Sequence, residues 1–382
     1  MIDFNNFIEL NTAEMYRTLK ELATIPAPSG HEEERAKYCL EFLKACGSKD
    51  AYIDSALNVV LPINIEGKDS ITVIGAHTDI VFDFDVPLNY VEKDGKIFCP
   101  GIGDDTASAV VLMYTAKYLI ENNIKPQNGL IIVLDSCEEG MGNLKGIRQL
   151  MDEFGGRIKE FITYDSNFDS IANECVGSHR YKVTVKTEGG HSFADFGNAN
   201  AINELAKIVN KIYNLSAVEK EGSHTTYNVG IIEGGTSVNT IAQNASMLCE
   251  YRSDNRECLE VMKDAFMDIF ASCGSDDVAV EVETVGERPC SAVDKNKQMQ
   301  LSEKVKKVCD EIYGLDVYFR SGSTDCNIPM SMGIPAVNMG VYIGGKSHTT
   351  EEWIDKESIL KGLLASLKLI DELCIMRAKD EE

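Results

Sequence analysis

The chain has 382 residues, enough for two domains and a substantial core, with 44% hydrophobic and 26% charged residues. Its 61 acidic residues against 37 basic ones leave a formal net charge of −24, which disfavours nucleic acid and anionic membranes as partners and favours cations. No apolar run is long enough to span a bilayer, and the N-terminus lacks a basic region followed by an apolar core, so no signal peptide is expected.

Helix-like and strand-like segments alternate from the start, the signature of an α/β architecture. "NTAEMYRTLKELATI" (11–25) and "GHEEERAKYCLEFLKACG" (30–47) have helical spacing, the second with a glycine stop at Gly47. "SITVIGAHTD" (70–79) reads as a strand, followed by "TASAVVLMYTAKYLIENN" (106–123), a helix apolar on most sides and hence buried. "NGLIIVLDSCEEG" (128–140) and "IKEFITYDSN" (158–167) are two further strands. From about residue 176 the texture changes. Strand "HRYKVTVKTEGG", helix "NAINELAKIVNKIYNL", strands "TTYNVGIIEGGTS" and "NASMLCEYRSD", helix "RECLEVMKDAFMDIFASCG" and strand "VAVEVETVG" follow in turn. That βαββαβ order is the split-βαβ, ferredoxin-like arrangement. The first texture then resumes with helix "NKQMQLSEKVKKVCDEIYG", strand "GIPAVNMGV" and helix "DKESILKGLLASLKLIDELCIM". The reading is an α/β domain over 1–175 and 291–382, interrupted by a smaller domain at 176–290, with a frayed charged tail "RAKDEE". The twelve scattered cysteines form no CxxC pair and no zinc-finger spacing, the pattern of reduced thiols in a cytoplasmic protein.

Three of the predicted strands finish on polar residues: His77 with Asp79, the pair Glu138–Glu139, and Asp165. In open α/β sheets, ligands bind beyond such strand ends. His77 and Asp79, two apart on a strand, face the same side, so the carboxylate can hold the imidazole in one tautomer. Asp104 and Asp105 open the buried helix, either as its N-cap or as donors to cations. Adjacent like charges at 138 and 139 repel, and no basic residue stands beside them; a solvated turn or an intervening cation would each account for them. His348 lies in "GGKSHTTEEW", whose glycines allow a loop to approach a site closely. Such a mixed nitrogen and oxygen set suits zinc, with cobalt or manganese as substitutes. Two ions sharing one carboxylate would explain the surplus of acids. His31, His179 and His224 fit no ligand pattern, and Cys137 reads as a buried small residue.

The segments "IPAPSGHEEE", "GAHTDIV", "GDD", "DSCEEG", "GGHSFADFGNANAI", "EGGTSVNTIA", "YRSD", "SGSTDCNIPMSMGIPAV" and "GGKSH" run nearly end to end. They resemble the dinuclear-zinc exopeptidase and aminoacylase family that includes peptidase T, and are most similar to its peptidase T-like, tripeptidase-like branch. The resemblance implies a catalytic zinc-exopeptidase domain interrupted by a lid domain, and two zinc ions. His77, Asp104 and Asp165 would hold the first ion, with Asp104 bridging to a second held by Glu139 and His348. Glu138 would be general base towards a water between the ions, Asp79 would orient His77, and a cis peptide would follow Asp104. His191 would donate to the developing oxyanion, and Asn239, Arg252, Gly322, Ser323 and Thr324 match substrate-contacting positions, with Arg180 a weaker candidate. A homodimer through the lid is compatible with the resemblance, with His191 acting in its own chain or in the partner.

The sequence departs from the family at Thr106-Ala107, where many relatives carry Lys-Gly, and in "FGNANAI", which lacks a common proline. An aspartate at 165 accompanies aminopeptidases and dipeptidases in the family. The expected activity is therefore metal-dependent hydrolysis of short peptides by an aminopeptidase (tripeptidase or dipeptidase). The alternatives are an amidohydrolase acting on N-acyl amino acids, and a non-catalytic protein that keeps the fold.

Overall fold

The structure, a computed structural model, describes residues 3–220 and 222–373. The chain divides into two compact units, one made of the segments up to Cys175 and from Ser291 onward, the other of Val176–Cys290. The tail "RAKDEE" lies outside the described residues.

An eight-stranded sheet organises the larger unit, in the order Tyr52–Ile53, Val59–Ile63, Gly129–Asp135, Ile71–His77, Ile158–Tyr164, Ala336–Met339, Ser170–Cys175, Tyr318–Gly322. Its centre is parallel: Ile71–His77 pairs in that sense with both Gly129–Asp135 and Ile158–Tyr164. Every residue of Ile71–His77 and Gly129–Asp135 is buried, as parallel strands covered on both faces require. Helix Ser108–Glu121 is buried around most of its circumference, which explains a sequence with no polar face.

The first helix begins earlier than the expected start at residue 11, running Phe4–Ala23. Asp3 caps it by accepting the Asn6 N–H at 3.1 Å. Phe4 and Phe7 then pack edge-on against Tyr118, with ring centroids 5.5 and 5.0 Å away. Several strands were not legible in the sequence, among them the small sheet built from Val91–Lys93, Lys96–Phe98, Gly344–Gly345 and Trp353–Asp355. Strands of two or three residues are too short to show a period.

The smaller unit has the expected βαββαβ order: Gly177–Thr187, Ala201–Tyr213, Thr225–Gly234, Asn244–Ser253, Arg256–Ala271 and Val278–Arg288. Its four long strands form one antiparallel sheet, and Asn244–Ser253 alternates between more and less buried positions. A short ribbon, Gly190–His191 with Thr240–Ile241, forms a separate two-stranded sheet in the same unit. Among the described residues every cysteine is free, and no helix is long and apolar enough to cross a membrane.

Candidate metal centre

Sheet register brings the strand-end residues of the larger unit together. His77 pairs with Asp135 and Gly75 with Thr163, so Asp165, two residues on, lies level with His77. The Asp165 N–H donates to Met339 O at 3.1 Å, and the Asn338 amide donates to its carboxylate at 3.2 Å.

Asp104 is the meeting point of the two histidines. Its Oδ1 lies 3.1 Å from His77 Nε2, and its Oδ2 lies 3.1 Å from His348 Nε2. His348 Nε2 also lies 2.9 Å from Glu139 Oε1. The N-cap reading of the aspartates does not hold: the Asp104 carboxylate turns to the imidazoles, and Asp105 Oδ2 accepts the His77 N–H at 3.1 Å. The Asp104–Asp105 peptide bond is cis, as the resemblance implied. Two donor groups overlap at His77. Ligand atoms of His77, Asp104 and Glu139 lie within 4.8 Å of one another, and so do those of His77, Asp105 and Asp165.

Asp79 organises the glutamate pair. Its fully buried carboxylate accepts the Glu138 N–H on Oδ1 at 3.0 Å and the Glu139 N–H on Oδ2 at 2.9 Å. Ser29 adds its hydroxyl to Oδ2 at 2.5 Å. The His77 Nδ1 lies 3.1 Å from the Asp79 carbonyl and 3.4 Å from its carboxylate, which leaves Nε2 pointing at Asp104. Burial pushes the Asp79 carboxyl up, but His77, Ser29 and the Glu139 N–H outweigh it and hold it below the usual range. Glu32 supports the same turn by accepting the Gly30 N–H at 2.7 Å and the Cys137 N–H at 3.1 Å. The solvated-turn reading therefore fails, because Glu138 and Glu139 are only 6% and 7% exposed.

The charges here ask for cations. Hydrogen bonds to the Asp104 and Glu139 carboxylates raise His348 to about 11. Burial pulls His77 down, yet Asp105, Asp104 and Asp79 raise it well above its ordinary value. Burial, and then the Asp104 charge, push Asp165 up to about 6. Carboxylates that converge on two imidazoles and on one another form a field a divalent ion can neutralise. The donor set fits such ions: oxygen and imidazole nitrogen at strand ends, with Asp104 offering one oxygen to each side.

Sequence reasoning gave no role to Arg35, Asp135, Asp325 or Glu352, all of them buried beside these residues or behind them in the larger unit. Burial raises Asp135 to about 7 and also raises Asp325, which the charge of Asp135 lifts further. A visible signal existed at Glu352, a second acidic pair, Glu351–Glu352, just after the His348 motif.

Two glycines shape the approach to Asp104. A Cβ on Gly101, at φ +70°, would sit 2.5 Å from Ile80 Cγ2, and one on Gly103 would sit 2.8 Å from the Tyr342 ring. Gly101→Ala is expected to cost about 1–3 kcal/mol through overpacking, with further cost from its left-handed backbone. A lowered thermal midpoint checks this. The glycines before His348 serve a different contact from the one expected: Gly344–Gly345 pairs with Trp353–Ile354, and a Gly344 Cβ would meet the Trp353 carbonyl at 2.6 Å.

Gly322 ends strand Tyr318–Gly322, and the Thr324 N–H donates to Asn327 Oδ1 at 2.9 Å; Ser323 lies between them. In the smaller unit, His191 pairs with Thr240, and the Ser192 N–H donates to Asn239 O at 3.0 Å, so His191 and Asn239 are neighbours. The N–H groups of Phe193 and Ala194 donate to His191 Nδ1 at 3.2 and 3.3 Å. Arg252 and Arg180 both bond Glu250. His179 is buried against Tyr251, whose hydroxyl lies 2.6 Å from Nδ1.

Comparison with known proteins bears on this arrangement. Residues 73–372 match the family described as Peptidase family M20/M25/M40. Succinyl-diaminopimelate desuccinylase of Corynebacterium glutamicum is 25% identical over 350 residues, covering 89% of this chain and 91% of that protein. Among solved structures, aminopeptidase PepT from Bacillus cereus superposes with a TM-score of 0.70 at 24% identity, over 95% of this chain and 98% of that one. A tripeptidase from Staphylococcus aureus gives a TM-score of 0.71 at 24% identity, over 94% and 98%.

Proposed function

The chain belongs to peptidase family M20/M25/M40, and from that premise we propose that it is a metal-dependent aminopeptidase acting on short peptides, tripeptides or dipeptides. One observation carries the proposal: Asp104 directs one carboxylate oxygen to each of two histidine Nε2 atoms, the disposition of a ligand shared by two cations.

In this reading His77, Asp104 and Asp165 hold one zinc ion, and Asp104, Glu139 and His348 hold the other; cobalt or manganese suits the same donors. When bound, the ions acidify a water and polarise the scissile carbonyl. Glu138 accepts the proton of the attacking water and returns it to the leaving amine. Asp79 fixes the backbone of Glu138 and Glu139, so that the base and the ligand keep separate directions. His191 serves as oxyanion donor: its Nδ1 accepts two N–H groups, so a neutral ring carries its proton on Nε2. Arg252, Asn239 and Gly322–Thr324 contact substrate in the same scheme. A homodimer through the smaller unit is part of the proposal if His191 acts in the partner.

A deacylase reading has its own support in the similarity to the desuccinylase, which extends over most of both chains. Tripeptides, dipeptides and N-acyl amino acids, N-succinyl ones included, should be assayed with zinc, cobalt or manganese added. Cleavage of free tripeptides or dipeptides is expected. Turnover confined to N-acyl substrates would overturn the peptidase reading and support the deacylase one.

A further inference from the structure

Glu352 has no role in the reaction just described, yet its side chain is tied to the turn that delivers Asp104. The residue is 1% exposed. Its Oε2 accepts the Gly101 N–H at 2.7 Å, and its Oε1 accepts those of Gly103 at 2.9 Å and Asp104 at 2.8 Å. The main chain makes the same connection. Strand Trp353–Asp355 pairs antiparallel with Lys96–Phe98, and the Cys99 N–H donates to Glu352 O at 3.2 Å. Residue 352 thus stands opposite the start of the 99–104 turn, as the last rung of that ladder.

On the other side, Glu352 closes the loop that carries His348. Its own N–H donates to Thr349 O at 3.1 Å, and the Thr349 N–H donates to Lys346 O at 3.2 Å. One side chain and its peptide group are therefore bonded to two segments about 250 positions apart in sequence, each bearing a residue that faces the same space.

We propose that Glu352 is a positioning residue that locks the Asp104 turn to the His348 loop, so that both side chains converge on one cation. The inference rests on the dinuclear reading of the site. Its chemistry needs a carboxylate: three N–H donors approach two oxygens, so both oxygens must accept. A glutamine of the same shape has one acceptor and one NH2 group, which would face an N–H and release one side of the clamp. Residues that orient metal ligands typically affect affinity by about 10–100-fold when replaced. Here the effect should fall mainly on the ion between Glu139 and His348, because His77 and Asp165 are anchored by the central sheet.

The test is zinc titration of the full chain against a chromogenic chelator, with metal content measured by mass spectrometry, for wild type, Glu352→Gln and His348→Ala. Wild type should hold two zinc ions, and His348→Ala should weaken one. Glu352→Gln should keep its far-ultraviolet circular dichroism and one tight ion, with the other weakened about 10–100-fold. Unchanged affinities in Glu352→Gln beside a weakened His348→Ala would overturn this inference alone. Wild type and His348→Ala binding zinc alike would overturn the dinuclear reading, and this inference with it. If Glu352→Gln does not fold, Glu352→Asp, which keeps the charge on a shorter stem, is measured the same way. Failure of both variants to fold at saturating zinc would make Glu352 a folding residue and sink the proposal.

Discussion

Replacing Glu138 by glutamine should remove turnover while leaving the fold and the bound cations intact. A positioned general base typically contributes about 100- to 10,000-fold to a rate, and an amide cannot accept the proton of the attacking water. The neighbouring carboxylate cannot take over. Glu139 Oε1 is committed to the His348 side at 2.9 Å, and Asp79 binds the N–H groups of both glutamates and prevents the turn from rotating. The comparison that decides the assignment is with Glu139→Gln, which should lose metal as well as activity. Steady-state kcat and metal content together separate the two variants. Full activity of Glu138→Gln on the true substrate would refute the assignment.

The largest stability effect is expected at Arg35, whose side chain is fully buried beneath the site. Its Nε donates to Ile25 O at 2.8 Å, and its Nη1 donates to Thr78 O at 3.0 Å and to Thr106 Oγ1 at 3.2 Å. Thr78 lies between His77 and Asp79, and Thr106 follows Asp105, so one guanidinium fastens both segments. Burial lowers it to about 10, which still leaves it cationic at neutral pH, and its charge interacts with Asp79 and Asp105. Arg35→Met fills the space but strands two carbonyls and removes the cation from buried acids. Removing one partner from a buried charged cluster costs about 3–5 kcal/mol. Trp353, the single tryptophan, lies in the larger unit, so its fluorescence during urea unfolding reports on that unit. A change below about 1 kcal/mol would mean that the acids are stabilised by other means.

Much of this architecture is legible in the sequence because its signals are local. Alternation at Asn244–Ser253, the unbroken apolar run of Gly129–Asp135 and the all-round apolar helix Ser108–Glu121 each announce their environment within about ten residues. The convergence of His77, Asp79, Glu138, Glu139 and Asp165 was legible for a related reason, since strand ends mark one edge of a parallel sheet, whereas Asp104 and His348 lie on a turn and a loop outside that rule. The two- and three-residue strands beside the site were not legible, since a period needs more residues than they have. The start of the first helix was also readable and was missed, since Asp3 is a capping residue directly before Phe4, Phe7 and Ile8 at helical spacing.

By itself the sequence determined the order of the long helices and of the central strands, the change of texture between the two units, and a set of acids and histidines suited to divalent cations. Only the tertiary structure decided how those residues share the work. It turned the two oxygens of Asp104 towards different histidines, made Asp79 the anchor of the Glu138–Glu139 turn, and brought Glu352 and Arg35 under segments far from them in sequence. The physical reason is range. Periodicity and turn chemistry act over a few residues, whereas a carboxylate's direction is set by sheet register and by donors from strands more than a hundred positions away.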